Sequence, residues 1–172
     1  FNSKIRANYY NSYKQIFFLS KSLKNTNKQI LLFHAASAGE YEQIKPLLRV
    51  IDKNLYFTII TCMSPTIYQT IKEDKLSDVC CYHPFDFPWN PKEFFNTISP
   101  SIYLITRHDI WPIHLYAAKK MNIRTIIINA NLYQKSKRLK WYIISFTKYI
   151  FNFTNIFRIC NKAETNSTIK SF

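Results

Sequence analysis

The amino-acid pattern predicts an α/β fold with a mostly parallel sheet, on three observations. Short apolar runs rich in β-branched and aromatic residues alternate with longer stretches of helical periodicity, as strand-helix-strand units require. Proline opens three of the helical stretches, where its missing N–H is no loss. The chain has 172 residues, enough for one full-sized domain with a core and short for two. Hydrophobic residues at 47% and charged residues at 20% exclude a disordered tail. A mean hydropathy of -0.20 excludes a multi-span membrane protein, and no run reaches the ~18 to 20 consecutive apolar residues that cross a bilayer.

The elements follow in order. Ala7–Lys24 sets Tyr9, Tyr13, Ile16, Phe17 and Leu23 near helical spacing among basic residues, an amphipathic lead-in within a segment 1–27 that precedes a domain at 28–172. Gln29–His34 is the first β-type run, and Glu40–Lys53 the first strongly periodic helix. Tyr56–Thr61, Asp78–Tyr82, Ser101–Thr106 and Arg124–Ile128 are short, apolar and rich in strand-forming residues. Helices Pro65–Asp74, Pro91–Ile98 and Pro112–Met121 alternate with them, each opened by its proline. A further helix is expected over roughly Ser136–Phe153 and a last, less β-rich strand over Asn155–Cys160. Tyr142, Phe146, Tyr149, Ile150, Phe153 and Phe157 fall on one helical face. That face suits core packing, or a membrane surface given the flanking Lys137, Arg138, Lys140 and Lys148.

Lys and Arg number 24 against 10 Asp and Glu, a net charge of +14, which favours nucleic acid, phosphate or an acidic membrane surface as partner. Cys62, Cys80, Cys81 and Cys160 lack the two-residue gap of metal ribbons and redox motifs, so a reduced interior is the default. The four histidines lack helical metal-ligand spacing and are expected in structural or surface roles, and no glycine-rich nucleotide motif is present. The chain opens on Phe1 and closes on a polar stretch, Asn161–Phe172, with no stop signal, so a fragment or extracted domain is expected. One glycine serves the whole chain, so positive φ elsewhere falls to Asn or Asp.

That glycine lies in His34-Ala35-Ala36-Ser37-Ala38-Gly39-Glu40, between the first strand and the first helix. Ligands of open α/β sheets gather at the carboxyl ends of strands, so a glycine here suggests a close backbone approach by substrate. Ser37-x-x-Glu40 is equally a capping box. The two readings coexist, because a carboxylate in the field of a helix N-terminus also suits a general base awaiting a hydroxyl proton. His83-Pro84-Phe85-Asp86-Phe87-Pro88-Trp89 is a proline-stiffened loop after a strand, in which Asp86 caps a turn or the following helix, or lines a pocket. Arg107-His108-Asp109-Ile110-Trp111-Pro112 offers Arg107 to phosphate, Asp109 to hydrogen bonds and Trp111 to a sugar or lipid, or simply a cap and a buried tryptophan. Asn129-Ala130-Asn131-Leu132 follows the fifth strand with a basic run behind it that suits a solvated helix face or anionic head groups. Clusters sharing one predicted sheet edge predict a site there.

Taken in order, HAASAGE, TCMSPT at Thr61–Thr66, HPFDFP at His83–Pro88, DIWP at Asp109–Pro112 and INANL at Ile128–Leu132 resemble the N-terminal half of the bacterial 3-deoxy-D-manno-octulosonic acid (Kdo) transferases, over about residues 28 to 165. The resemblance implies a Rossmann-like parallel sheet with helices on both faces, the N-terminal half of a GT-B glycosyltransferase whose two halves face each other across a cleft. It implies Kdo transfer from CMP-Kdo to a lipid A precursor in lipopolysaccharide biosynthesis, with inversion, at the cytoplasmic face of the inner membrane, and neither metal nor cofactor. Glu40 would be the general base and Arg107 the second catalytic residue, at the position where the family stabilises the transition state. Ser37, Gly39, Asp86, Asp109, Trp111, Asn129 and Asn131 would bind acceptor. An anionic lipid acceptor and an anionic membrane surface give the net charge a rationale.

The sequence departs from the family at Arg107, where an acidic residue is usual, and at Asn131, where the family has arginine. CMP-Kdo would bind through a C-terminal donor domain absent from this chain. A reading from another class is a non-catalytic, truncated membrane- or lipid-binding relative that keeps only the acceptor surface. A nucleic-acid partner would rest on charge alone, without a recognised motif, and is not expected.

Overall fold

The computed structural model describes residues 18–24, 26–106, 110–129, 153–154 and 156–157. Six parallel strands form one sheet in the order β3-β2-β1-β4-β5-β6. They are β1 (Gln29–His34), β2 (Tyr56–Cys62), β3 (Val79–Tyr82), β4 (Ile102–Thr106), β5 (Arg124–Ile128) and β6 (Ile156–Phe157). The connecting helices are α1 (Ala38–Val50), α2 (Pro65–Asp74), α3 (Asn90–Ile98) and α4 (Pro112–Lys120). Residues 18–23 are also helical. No helix among the described residues is long and apolar enough to cross a membrane.

Alternate strand residues feed two cores. Leu31 and Phe33 of β1 pack with Ile60 and Leu104 beneath Tyr41, Ile44 and Leu48 of α1 and Ile67 and Ile71 of α2. Leu32, Ile59, Tyr103 and Ile105 face the other way, against Phe94, Phe95 and Ile98 of α3 and Leu115 and Ala118 of α4. With right-handed crossovers, winding from β1 outward to β3 lays α1 and α2 on one face, and the return to β4 lays α3 and α4 on the other. This is the expected Rossmann-like sheet covered on both sides, the arrangement of a GT-B N-terminal half. The strand order reverses between β1 and β4, which opens a crevice outside their carboxyl ends.

Boundaries moved where side chains intervene. β3 starts at Val79, one residue later than expected, because the Asp78 carboxylate instead accepts from the Thr58 N–H and hydroxyl, each at 2.7 Å. α1 starts at Ala38 because Ser37 is its N-cap. The expectation for positive φ needs correction. Gly39 does not use it, while Lys75, Ser99, Asn122 and Asn129 do. Lys75 and Ser99 are C-caps of α2 and α3, where a left-handed residue is needed to end the helix at roughly 1–2 kcal/mol without glycine. The lone glycine is thus placed where backbone conformation does not demand it.

Cys62, Cys80 and Cys81 are free thiols, and burial raises that of Cys81 above the usual thiol range. The described part of the last strand is Ile156–Phe157, paired with Ile126 and Ile127. Cys160, the helix expected over roughly Ser136–Phe153 except for its last residue, and the lead-in before residue 18 lie outside the described residues.

Candidate active site

The first group of site residues sits where β1 turns into α1. Ser37 Oγ accepts from the Glu40 N–H at 3.3 Å, and Glu40 Oε2 accepts from the Ala36 N–H at 2.7 Å and the Ser37 N–H at 3.3 Å. Both halves of the capping box are therefore made. The carboxylate folds back over the strand-helix loop, and Glu40 as a whole is buried, at 8% exposure. Its two hydrogen bonds converge on Oε2, so Oε1 has no hydrogen-bond partner among the described residues. A Cβ built on Gly39 would meet nothing within 4 Å. Cap and open approach occupy the same turn, at the edge of the β1/β4 crevice.

The second group is a buried histidine cluster just beneath this turn. His34 ends β1, His83 follows β3 and His114 lies in the first turn of α4, so the topology converges three histidines that are remote in sequence. The ring centroids of His34 and His83 are 4.0 Å apart, and those of His83 and His114 4.3 Å. All three are buried. Trp111 has only a donor, and its Nε1–H reaches His34 Nε2 at 3.3 Å, which puts the His34 proton on Nδ1. The Thr61 hydroxyl donates to the Phe33 carbonyl at 3.1 Å, and its oxygen takes the Nδ1–H groups of His34 at 2.9 Å and His83 at 3.1 Å. His83 Nε2 and His114 Nε2 are buried without a hydrogen-bond partner among the described residues.

Electrostatics follow from that burial. Desolvation, then the positive charge of either neighbouring histidine, holds His83 well below the ordinary histidine value. Desolvation also lowers His114, against the opposing pull of Asp86. The 2.8 Å contact from His114 Nδ1–H to Asp86 Oδ1 is accordingly a neutral donor on a carboxylate. Asp86 also accepts from the His114 N–H at 3.0 Å and the Ile113 N–H at 3.1 Å. It thus caps α4, whose N-cap residue Trp111 makes no side-chain cap bond. The expected capping role of Asp86 falls on a helix distant in sequence, not on the one that follows it.

Other links close the edge. The Thr106 hydroxyl donates to the His34 carbonyl at 2.9 Å, pinning the ends of β1 and β4 together across the reversal point. Asn129, in the left-handed region at φ 53°, donates from Nδ2 to Gln43 Oε1 of α1 at 3.2 Å. Ser37, Gly39, Glu40, Asp86, Trp111 and Asn129 therefore share the carboxyl edge of the sheet. Arg107, Asp109 and Asn131 lie outside the described residues. Among the described residues no group of three His, Cys, Asp or Glu side chains is arranged to hold a metal ion.

Comparison with known proteins bears on this edge. Residues 11–170 match the family model described as 3-deoxy-D-manno-octulosonic-acid transferase (kdotransferase). The chain belongs to this family. The 3-deoxy-D-manno-octulosonic acid transferase of Haemophilus influenzae is 29% identical over 111 residues, 63% of this chain and 26% of that protein. Its Aquifex aeolicus counterpart is 29% identical over 116 residues, 66% of this chain and 31% of the relative. That of Chlamydia muridarum is 25% identical over 132 residues, 74% of this chain and 31% of the relative. The chain thus spans about a quarter to a third of the length of these Kdo transferases. A crystal structure described as a UDP-N-acetylglucosamine 2-epimerase from Listeria monocytogenes superposes with a TM-score of 0.56 at 13% identity, over 80% of this chain and 40% of that one. That likeness concerns the fold.

Proposed function

We propose that this chain is the acceptor-side half of a Kdo transferase, with Glu40 as general base. In the reaction, the acceptor hydroxyl oxygen attacks the anomeric carbon of CMP-Kdo from the side opposite the nucleotide. The bond to the CMP phosphate breaks with its electron pair leaving on CMP, the hydroxyl proton passes to Glu40, and the anomeric centre inverts. The observation that supports this most is the Glu40 carboxylate itself. Two loop amides orient one oxygen and leave the other without a hydrogen-bond partner among the described residues, beside the unobstructed backbone of Gly39. A positioned carboxylate within reach of a hydroxyl contributes roughly 10²- to 10⁴-fold to such a step.

Ser37, Gly39, Trp111 and Asn129 are the acceptor-side contacts of this reading, joined by Asp109 and Asn131, and Arg107 takes an anionic group of donor or acceptor. CMP-Kdo requires a donor half supplied by further sequence or a second chain. The acceptor is an acylated, phosphorylated lipid A precursor, which places the work at the cytoplasmic face of the inner membrane. The test combines this chain, a donor half from a relative, CMP-Kdo and lipid A precursor. Glycosylated lipid is expected only with both halves present, and its absence from the complete mixture refutes transfer. Arg107, in place of the family's acidic residue, favours a second reading, a lipid-binding relative without catalysis, which predicts acceptor binding and no product.

Gly39 provides an independent check on the approach path. Gly39→Ala is expected to keep or raise stability, by up to about 1 kcal/mol, since alanine suits a helix better than glycine and meets no neighbour. Acceptor affinity is nevertheless expected to fall, because the added methyl occupies the approach. Urea unfolding and lipid-binding titration separate the two effects, and unchanged affinity would remove Gly39 from the acceptor contacts.

A further inference from the structure

We infer that His34 is a positioning residue for the acceptor: by taking the single N–H of the Trp111 indole, it turns bare ring carbon toward the crevice, and that surface receives the carbon–hydrogen face of a sugar ring and not a phosphate. This deepens the acceptor-side reading above and rests on it. Trp111 comes after β4 as the N-cap of α4, yet its Nε1–H bonds Nε2 of His34, the last residue of β1, at 3.3 Å. The indole therefore reaches across the β1/β4 reversal, where open α/β sheets bind their ligands. Glu40 sits in the turn that leaves the same end of β1.

The indole is supported from one side. Its ring centroid lies 5.3 Å from that of His83, 6.2 Å from that of His114 and 6.3 Å from that of His34. All three imidazoles are buried while Trp111 is half-buried, so its open side faces away from them. His34 is itself fixed at two further points. Its Nδ1–H donates to the Thr61 hydroxyl at 2.9 Å, and its carbonyl accepts from the Thr106 hydroxyl at 2.9 Å. The backbone that carries the indole is tied down by Asp86, which takes the Ile113 and His114 N–H groups, and by the Leu115 N–H on the Trp111 carbonyl at 3.0 Å.

This arrangement selects the group that the indole meets. A tryptophan side chain has one donor and no acceptor, and here the donor points inward at an imidazole. What remains is an apolar aromatic surface, which supplies neither the charge nor the hydrogen bonds that hold a phosphate. The flat carbon–hydrogen face of a pyranose fits it. The hydroxyls of such a ring project around its edge, free to reach polar groups such as Glu40.

The test is calorimetric titration of the whole chain with lipid A precursor in detergent micelles, and with its dephosphorylated and deacylated forms. His34→Asn keeps an amide N–H for Thr61 but leaves the indole without its acceptor, whereas His34→Gln sets an amide oxygen where Nε2 stands. Asparagine is expected to weaken binding roughly five- to tenfold, the worth of one hydrogen bond, and glutamine by less than about twofold. Adding Trp111→Phe to His34→Asn should weaken it no further, since the two act through one contact. In the enzyme completed by its donor half, the loss should fall on the acceptor KM and leave kcat nearly unchanged. The asparagine defect should persist with all three ligands, and its disappearance with the dephosphorylated or deacylated one would seat a phosphate or an acyl chain on the indole and overturn the inference. Wild-type affinity in His34→Asn, or equal losses in the asparagine and glutamine variants, would also overturn it and leave the acceptor-side reading standing. No wild-type binding would overturn both. If circular dichroism shows His34→Asn unfolded, Trp111→Phe alone decides, with the same loss expected and unchanged affinity overturning the inference.

Discussion

Glu40→Gln, in the enzyme completed by its donor half, is expected to slow Kdo transfer by roughly 10²- to 10⁴-fold while barely changing stability. The choice of glutamine is what makes the result interpretable. A capping box accepts glutamate or glutamine at its third helical position, so the amide oxygen still takes the Ala36 and Ser37 N–H groups that Oε2 takes now. What glutamine cannot do is receive a proton. Glu40→Ala removes both functions and is expected to cost a further 0.5–2 kcal/mol, roughly, through loss of the cap. Single-turnover transfer and urea unfolding on the same preparations decide the matter. A glutamine variant as fast as the wild type would leave Glu40 a capping residue alone, and the proton would need another acceptor.

Much of this arrangement was legible in the residues because its signals are local. Short β-branched runs, proline at N1 of a helix and Ser37 three residues before Glu40 each act within one turn or strand, and the described elements from β1 to β5 fall within a few residues of where they were expected. The histidine cluster was not legible. His34, His83 and His114 have no common spacing, and only the order β3-β2-β1-β4 brings the ends of β1 and β3 and the start of α4 together. A usable hint was that each histidine stands at a strand's carboxyl end or in the first turn of the helix after one. Asp86 misled for a related reason. Its nearest helix in sequence is α3, yet the α4 amides lie within reach because α3 and α4 pack on the same face of the sheet. The preference for asparagine or aspartate at positive φ held for Asn122 and Asn129 and failed at Lys75 and Ser99, where ending a helix outweighed the local strain.

That same cluster sets the expected response to acid. Folded His83 and His114 bind protons less readily than unfolded histidine, whose ordinary value is about 6.5. Above that value both states are neutral, and stability is flat with respect to these two groups. Below it, and until the folded values are reached, the unfolded chain holds more protons, so stability falls as pH falls. The slope is roughly 1 kcal/mol per histidine for each pH unit in that window. Asp74, lowered mainly by its hydrogen bond from Lys45, contributes only below the ordinary carboxylate range and does not blur the effect. Urea midpoints between pH 7.5 and 5 are therefore expected to drop steadily from near 6.5. His83→Phe keeps a ring beside His34 and His114, removes one titrating group and replaces a buried nitrogen that has no partner among the described residues. It should cut that slope by about half, in proportion to the one proton removed. Identical slopes in the two proteins would show that the acid sensitivity arises elsewhere. Protonating this cluster would then carry little of the cost that its burial implies, and the clustered rings would have to open to solvent well before the sheet does.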